Sequence, residues 1–287
     1  MTGVRVGIIG GSGLYAMSDL RDAEQVAMET PFGDPSDVIT IGTLSGVRVA
    51  FIPRHGRRHQ IMPSDVPARA NFWALKRLGV CSVLSVSAVG SMREQIKPLD
   101  LVVPDQVVDH TVSRARTFFD DGLVVHVGLA EPFCPQVRRT LVDAAGEVAP
   151  TVHDGGTYLS IEGPQFSTGA ESRVYRSWGV DVIGMTAMPE ARLAREAELC
   201  FGVLALVTDY DVWHASEAPV SVATVVGNLR RNVDVAQTIV RSIVPVLAAR
   251  DDCSCRHALD HAIVTSEPCL SASQLDRLSL FIGDRLD

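Results

Sequence analysis

Short apolar runs of strand length alternate with segments of helical periodicity along most of this chain of 287 residues. The runs are rich in Val, Ile and Leu, which is typical of strands buried in a parallel sheet. This alternation predicts a single α/β domain with a mixed, largely parallel central sheet flanked by helices. Strands are expected at residues 4–9, 38–41, 47–52, 81–86, 101–103, 158–161, 180–184 and 200–207, and helices at 66–78, 135–148, 170–178, 189–198 and 221–247.

The composition changes after Arg250, whereas no linker interrupts residues 1–250. We therefore expect one domain over residues 1–250 and a C-terminal tail over 251–287. The tail is expected to pack on the domain or to lie at a subunit contact.

The net charge limits the kinds of partner that the chain can have. A formal charge of −8 argues against a nucleic-acid partner, which would normally require a basic surface. The N-terminus leads directly into a strand-like run, and no apolar stretch reaches the length of a membrane span. These features predict a cytoplasmic protein that does not bind membranes.

Six cysteines are present, and none forms a CxxC pair or shows the usual ligand spacing of a zinc site. Reduced thiols, some of them in the core, are the expectation. Cys253 and Cys255 form a CxC pair, and the sequence leaves open whether they form a disulfide.

Two acids follow the apolar run at residues 200–207. Asp209 and Asp211 lie two positions apart, so they project to the same side if the strand continues. Ligands of open α/β sheets bind at the carboxyl ends of strands. The pair therefore predicts a ligand that supplies a donor or shares a proton.

A glycine-rich stretch at residues 7–15 follows the first predicted strand. Its backbone N–H groups could approach an anion, and Ser12 adds a hydroxyl donor. The same stretch fits a dinucleotide fingerprint weakly, through Gly11, Gly13 and Ala16. A tight turn without a ligand is the third interpretation.

Further anion donors follow other predicted strands. Arg54 and His55 begin a cationic stretch at residues 54–59, which suits phosphate, although a solvated charge run has the same composition. Ser87 and Ala88 lie in a stretch of small residues. Thr186 precedes a predicted helix, where its hydroxyl could cap the helix or bind an anion.

Two residues of these stretches could contact a nucleoside. Phe166 could stack on a planar ring or belong to the core. Met185 adds a flexible thioether. Because all these stretches follow predicted strands, they are expected to converge at one edge of the sheet, where they suit a phosphate beside a nucleoside.

Taken together, these stretches resemble the trimeric purine nucleoside phosphorylase family, and within it the 5′-methylthioadenosine phosphorylase branch. The matching strings run in the family's order across about residues 4–250: GIIGGSGLY, RHGRRHQIMPS, AVGSMREQI, EPFCP, IEGPQFST, GMTAMPE and VTDYDVW. Each string is common, but their combination is specific.

The resemblance implies that phosphate attacks C1′ of S-methyl-5′-thioadenosine and releases adenine and 5-methylthioribose 1-phosphate, in purine and methionine salvage. It implies a homotrimer, phosphate and nucleoside as small-molecule partners, and no metal or organic cofactor. The phosphate-binding residues it implies are Ser12, Arg54, His55, Ser87, Ala88 and Thr186.

On the nucleoside side, the resemblance places Met185 beneath the ribose and Phe166 against the base. Ser167 stands where members acting on 6-oxopurines carry a glutamate. Asp209 and Asp211 would face N7 and the 6-substituent, with Asp209 as the catalytic acid. Asp209 can act only if protonated, so burial and the neighbouring Asp211 should raise its pKa.

At the 5′ end the resemblance implies an apolar wall from Val222 and Val225, and His126 contributed by a neighbouring subunit. Helix packing would explain the valines equally well. Gly184 stands where many members carry asparagine, so one contact to the ribose or the turn is expected to be missing.

Three alternative functions remain open at this point. The first is a phosphorylase for another 5′-substituted adenosine, for 6-oxopurine nucleosides or for methylthioinosine. The second is an NAD-binding oxidoreductase that uses the glycine stretch. The third is a nucleoside-binding protein without catalysis.

Overall fold

A computed structural model describes residues 3–11, 14, 17–120, 122–215, 220–266, 270–283 and 285. This part of the chain forms an eleven-stranded sheet with six α-helices. The strands are β1 Val6–Gly10, β2 Arg21–Val26, β3 Ile39–Leu44, β4 Val47–Pro53, β5 Ser82–Ser91, β6 Leu101–Val103, β7 Gln106–His110, β8 Val152–Asp154, β9 Thr157–Ile161, β10 Val182–Gly184 and β11 Cys200–Asp209. The helices are α1 Ala68–Arg77, α2 Pro135–Val148, α3 Gly169–Ser177, α4 Ala187–Glu196, α5 Val222–Ala248 and α6 Ala272–Ile282.

The sheet is mixed and mostly parallel, which confirms the predicted fold class. Its main path runs β2-β3-β4-β1-β5-β10-β9-β7, and β11 pairs in parallel with β5 along nearly its whole length. Strand β11 also pairs with β6, and β6 pairs in turn with β8. Strands β5 and β11 are almost completely buried because helices and other strands cover both of their faces.

Three strands were not predicted. Strand β2 is almost fully exposed and has a polar sequence, so it lacks the apolar run that marked the other strands. Strand β7 alternates between exposed and half-buried side chains, and β8 has only three residues. All five predicted helices are present, and α6 in the tail is a sixth.

The C-terminal tail packs against the domain. Phe281 of α6 lies on Phe118 with ring centroids 4.3 Å apart, and Leu278 and Ile282 are buried. Ahead of that helix, Ile263 forms a β-bridge with Val125. None of the described helices combines the length and the apolar character needed to cross a bilayer.

Candidate active site

A cavity of about 770 Å³ opens where β5, β9, β10 and β11 end, with the first turns of α5 as one wall. Its position agrees with the expectation that the stretches suited to a phosphate and a nucleoside meet at one edge of the sheet. Twelve of the fourteen predicted site residues line it: Arg54, His55, Ser87, Ala88, Phe166, Ser167, Met185, Thr186, Asp209, Asp211, Val222 and Val225. Ser12 lies outside the described residues.

Arg54 is held at the floor of the cavity by a buried ion pair with Glu190 on α4. Its Nε donates to Glu190 Oε1 at 2.5 Å, and both side chains are more than nine-tenths buried. Its Nη2 donates to Ser85 Oγ at 2.7 Å, and its Nη1 donates to Val86 O at 3.1 Å. These contacts fix the guanidinium plane, and among the described residues they leave one Nη1–H for a ligand.

His55 follows Arg54 and is neutral in this environment. Burial and the charge of Arg54 lower the pKa of His55 from 6.5 to about 4. Its Nδ1 lies 3.0 Å from Ile61 O, which can only accept, so Nδ1 carries the proton. Nε2 is then an acceptor, which suits a ligand oxygen that carries its own proton, such as that of monohydrogen phosphate.

Three hydroxyl groups meet beside Arg54 and His55. Ser87 Oγ lies 2.8 Å from Thr186 Oγ1 and 3.1 Å from the hydroxyl of Tyr158. The Tyr158 hydroxyl lies a further 3.3 Å from Thr186 Oγ1. Hydroxyls can rotate between donating to each other and donating to an anion, so this triad adds neutral donors to the cationic site.

Gly184 is required by the same tyrosine. A Cβ atom at position 184 would lie 2.0 Å from the Tyr158 hydroxyl oxygen. The phenol occupies the space that a side chain at 184 would take, and the expected loss of a contact to the ribose or the turn stays a prediction. Only glycine is compatible with this placement of the hydroxyl triad.

Met185 lines the cavity in a tightly fixed position. A Cβ at Gly163 would lie 2.4 Å from Met185 Sδ, so the thioether passes directly over a glycine backbone. Arg114, itself paired with Glu162, donates to Met185 O at 2.5 Å. The hydrogen bond from Arg114 thus fixes the backbone at Met185.

Asp209 lies at the end of β11 and is buried. Thr208 Oγ1 donates to Asp209 Oδ2 at 2.7 Å, and the Asp211 amide donates to Oδ1 at 2.8 Å. Burial raises the pKa of Asp209, with a smaller contribution in the same direction from the charge of Asp211. A raised pKa is what proton donation near neutral pH requires.

Asp211 lines the same cavity and is also buried. Burial raises the pKa of Asp211, although hydrogen bonds from the hydroxyls of Ser172 and Ser167 act against this. These hydroxyls are nearby donors to the Asp211 carboxyl group, which has further acceptor capacity for a ligand N–H group.

The remaining wall of the cavity is apolar. Val222 and Val225 belong to the first turns of α5, which begins at Ser221 with its side chain accepting from the Thr224 amide. Val222 is 68% exposed and Phe166 is 41% exposed. The mouth of the cavity therefore carries apolar surface that remains exposed in the part of the chain that the structure describes.

His126 is not brought to this cavity by its own chain. It lines a separate cavity of about 480 Å³, together with Arg192 and Glu196. Its backbone N–H donates to Ala262 O at 2.8 Å, so its segment is tied to the tail. Burial raises the pKa of Glu196 to about 7.

Sequence reasoning missed two residues that position the site. Glu190 lies within the GMTAMPE string. The signal that the sequence offered was an acid in the first turn of a helix, near two arginine-rich segments. Tyr158 lies in a strand and reads as an ordinary core aromatic. The dinucleotide interpretation is not supported, because among the described residues β2, and no helix, follows the glycine stretch.

The arrangement is suited to join an anion to a nucleoside. One end offers a fixed guanidinium, a neutral imidazole and the hydroxyls of Ser87 and Thr186, and the other offers two buried acids. Between them, Met185 and an aromatic ring could hold a sugar and a base. These are the parts of a glycosyl-transferring site for phosphate.

The sequence profile of the phosphorylase superfamily matches residues 5–245, so the chain belongs to this superfamily. Within it, the chain is similar to S-methyl-5′-thioadenosine phosphorylase of Geobacter sulfurreducens, with 51% identity over 97% of this chain and 98% of that protein.

Solved structures agree with this. A methylthioadenosine phosphorylase from an Antarctic soil metagenomic library superposes with a TM-score of 0.92 at 48% identity, covering 98% of this chain and 99% of that one. A variant of the adenosine/methylthioadenosine phosphorylase of Schistosoma mansoni, solved in complex with methylthioadenosine, gives a TM-score of 0.81 at 37% identity, with 86% and 93% coverage.

Proposed function

We propose that this protein cleaves S-methyl-5′-thioadenosine with phosphate to give adenine and 5-methylthioribose 1-phosphate. The observation that carries the proposal is that two buried carboxyl groups, those of Asp209 and Asp211, line the same cavity as Arg54. An acceptor at one end and anion donors at the other match a 6-aminopurine nucleoside beside phosphate. Relatives that resemble the whole chain carry this activity in their names.

In the reaction, a phosphate oxygen forms a bond to C1′ while the bond from C1′ to N9 breaks. The electron pair of that bond moves into the purine, and positive charge builds on the ribose. Arg54 and the hydroxyls of Ser87 and Thr186 hold the phosphate dianion close to the developing positive charge. We propose that phosphate is the co-substrate and that no organic cofactor takes part.

Asp209 has the role of proton donor to N7. Its pKa is raised by burial, and a proton on it can pass to N7 as negative charge develops on the leaving purine. Asp211 accepts from the 6-amino group through its carboxylate. A 6-oxo group would place an acceptor against that acceptor, so adenine-type substrates are preferred.

At the 5′ end, the valines of α5 offer an apolar surface for a methylthio group. We propose that the active form is a homotrimer in which His126 of one subunit lies over the 5′ substituent of the next. The exposed apolar side chains at the cavity mouth support a covering subunit, since Val222 alone leaves 68% of its surface uncovered.

The products suggest the cellular setting. Adenine and a methylthiopentose phosphate are starting materials for purine and methionine salvage, and we propose that the protein serves these routes in the cytoplasm. The five cysteines that the structure describes form no disulfide, which supports a reducing compartment.

A substrate panel that varies the base and the 5′ group separately tests the proposal. Methylthioadenosine, adenosine, methylthioinosine and inosine are each incubated with and without phosphate, and the free base is measured. Adenine release from methylthioadenosine that requires phosphate is expected. Cleavage of inosine in place of methylthioadenosine would overturn the substrate assignment, and binding without turnover would overturn the enzymatic assignment.

A further inference from the structure

Four cysteines from three distant parts of the chain meet at the end of the sheet opposite the active site. Cys134 precedes α2, Cys200 begins β11, and Cys253 and Cys255 lie just after α5. Their sulfur atoms all lie within 4.8 Å of one another, and all four side chains are buried. This grouping is invisible in the sequence, where only Cys253 and Cys255 are neighbours.

The spacing of the sulfur atoms suits a tetrahedral metal ion. Zinc bound to thiolates at about 2.3 Å requires sulfur–sulfur distances of about 3.8 Å along the edges of the tetrahedron. The Sγ atoms of Cys134 and Cys253 lie 3.6 Å apart, and the widest separation in the cluster is within 1 Å of the ideal edge. Small side-chain movements would close the cluster around an ion.

Two neighbouring groups supply partial or full positive charge to the cluster, one at Cys134 and one at Cys255. Cys134 is the N-cap residue of α2, where the helix dipole stabilises a thiolate. Arg195 Nη1 lies 3.8 Å from Cys255 Sγ, and Arg195 is held there by donating to Glu131 O. Because four thiolates and one divalent zinc carry a net charge of about −2, a fixed arginine beside them lowers the cost of burial.

We propose that Cys134, Cys200, Cys253 and Cys255 bind one structural zinc ion. All four positions are filled by protein ligands, which is the arrangement of a structural site and leaves no position for a substrate. The soft thiolate set selects zinc over magnesium or calcium.

The ion would tie the tail to the domain. The segment after α5 reaches α2 through Arg250, whose Nη2 donates to Thr140 Oγ1 at 2.6 Å. A zinc ion would add four bonds at the same junction and fix the chain between α5 and the β-bridge at Ile263. The first part of the tail, residues 251–266, would then fold onto the domain in a metal-dependent way.

Metal analysis of the unmodified protein is the first test. Protein produced in zinc-supplemented medium is dialysed, and zinc is measured by mass spectrometry before and after a mercurial thiol reagent is added. One zinc per chain, retained on dialysis and released by the reagent, is expected. Substoichiometric zinc, with the four thiols reactive or joined in disulfides by peptide mass mapping, would overturn the proposal.

Cobalt substitution reports the ligand set independently of stability. Replacing zinc with Co²⁺ should give the visible ligand-field bands of tetrahedral cobalt and the near-ultraviolet charge-transfer bands of thiolate coordination. A spectrum without thiolate charge-transfer bands would rule out a four-cysteine site.

Variants locate the site. Cys255→Ser should lose the bound zinc and expose the tail to trypsin at Arg256, whereas Cys81→Ser should keep one zinc per chain and wild-type resistance. Cys81 is a matched control because it is half-buried and lies outside the cluster. Equal zinc content in Cys255→Ser and wild-type protein would contradict the assignment, and the measurements on unmodified protein decide the question if Cys255→Ser does not fold.

Discussion

Replacing Asp211 with asparagine should change the preferred purine. The carboxyl group of Asp211 is buried and lines the cavity, and we propose that it accepts a hydrogen bond from the 6-amino group. An asparagine presents an N–H group in place of one acceptor oxygen. That group repels a 6-amino donor and can donate to a 6-oxo oxygen.

The magnitude follows from the cost of one buried mismatch. A buried polar contact that loses its partner costs about 1–3 kcal/mol, which is roughly a 5- to 150-fold change in kcat/KM. The substitution should lower kcat/KM for methylthioadenosine and raise kcat/KM for methylthioinosine. The ratio of their kcat/KM values should therefore shift by roughly 25-fold or more.

The assay measures kcat/KM for both substrates at saturating phosphate, by release of the free base. Asp154→Asn is a matched control because Asp154 is exposed and pairs with Arg138 far from the cavity. The KM for phosphate should stay near the wild-type value in both variants. An unchanged ratio of the two substrates in Asp211→Asn would refute the role given to Asp211.

Three further predictions concern the proton donor, the hydroxyl triad and a buried acid. Asp209→Asn should lower kcat by about 100-fold or more. It should also abolish the fall in activity at high pH, because the wild-type donor loses its proton as the pH rises through its raised pKa. A variant that still loses activity at alkaline pH would contradict this role. Tyr158→Phe should raise the KM for phosphate about 5- to 10-fold by releasing Ser87 and Thr186, and an unchanged KM would contradict it. Glu196 has a pKa of about 7 in the folded protein against 4.5 ordinarily, so its contribution to stability is full below 4.5 and is lost as the pH rises through 7. Glu196→Gln should therefore raise the free energy of unfolding by up to about 3 kcal/mol at pH 8 and leave it unchanged at pH 4, measured by urea denaturation; equal gains at both pH values would contradict the assignment.

The helices were predictable because local signals specify them. The predicted helix at residues 135–148 coincides with α2, since Pro135 begins it and its apolar residues recur at helical spacing. Strand β2 was not predictable, because its exposed polar residues owe their conformation to pairing with β3. A strand that is specified by its neighbour leaves little trace in its own sequence.

The site was predictable to the extent that parallel strands bring their ends together. Arg54, Ser87, Thr186 and Asp209 were each assigned at a strand end, and all four line the cavity. The contacts that position them were not predictable. Glu190 meets Arg54 across 136 residues of sequence, which no local pattern encodes.

Gly184 and Tyr158 show that two positions far apart in sequence can depend on each other. From the sequence, a glycine in place of asparagine implies a lost contact to the ribose or the turn, which stays a prediction. In the structure, the Tyr158 hydroxyl fills that space and binds both Ser87 and Thr186. The two positions therefore form one unit, and a substitution at either one should be interpreted only together with the other.

Strand β11 connects the two sites that the structure suggests. Cys200 lies at its first residue and Asp209 at its last, so the cysteine cluster and the catalytic acids are separated by about 30 Å of extended chain. At that distance a zinc ion has little direct effect on charge at the purine, because two unit charges about 30 Å apart interact by only about 0.6 kcal/mol at an effective dielectric constant of about 20. Removing zinc should therefore lower stability and free the tail while folded molecules keep their kcat. A loss of kcat in parallel with zinc, in protein that is still folded, would mean that the strand or the tail transmits the change to the active site.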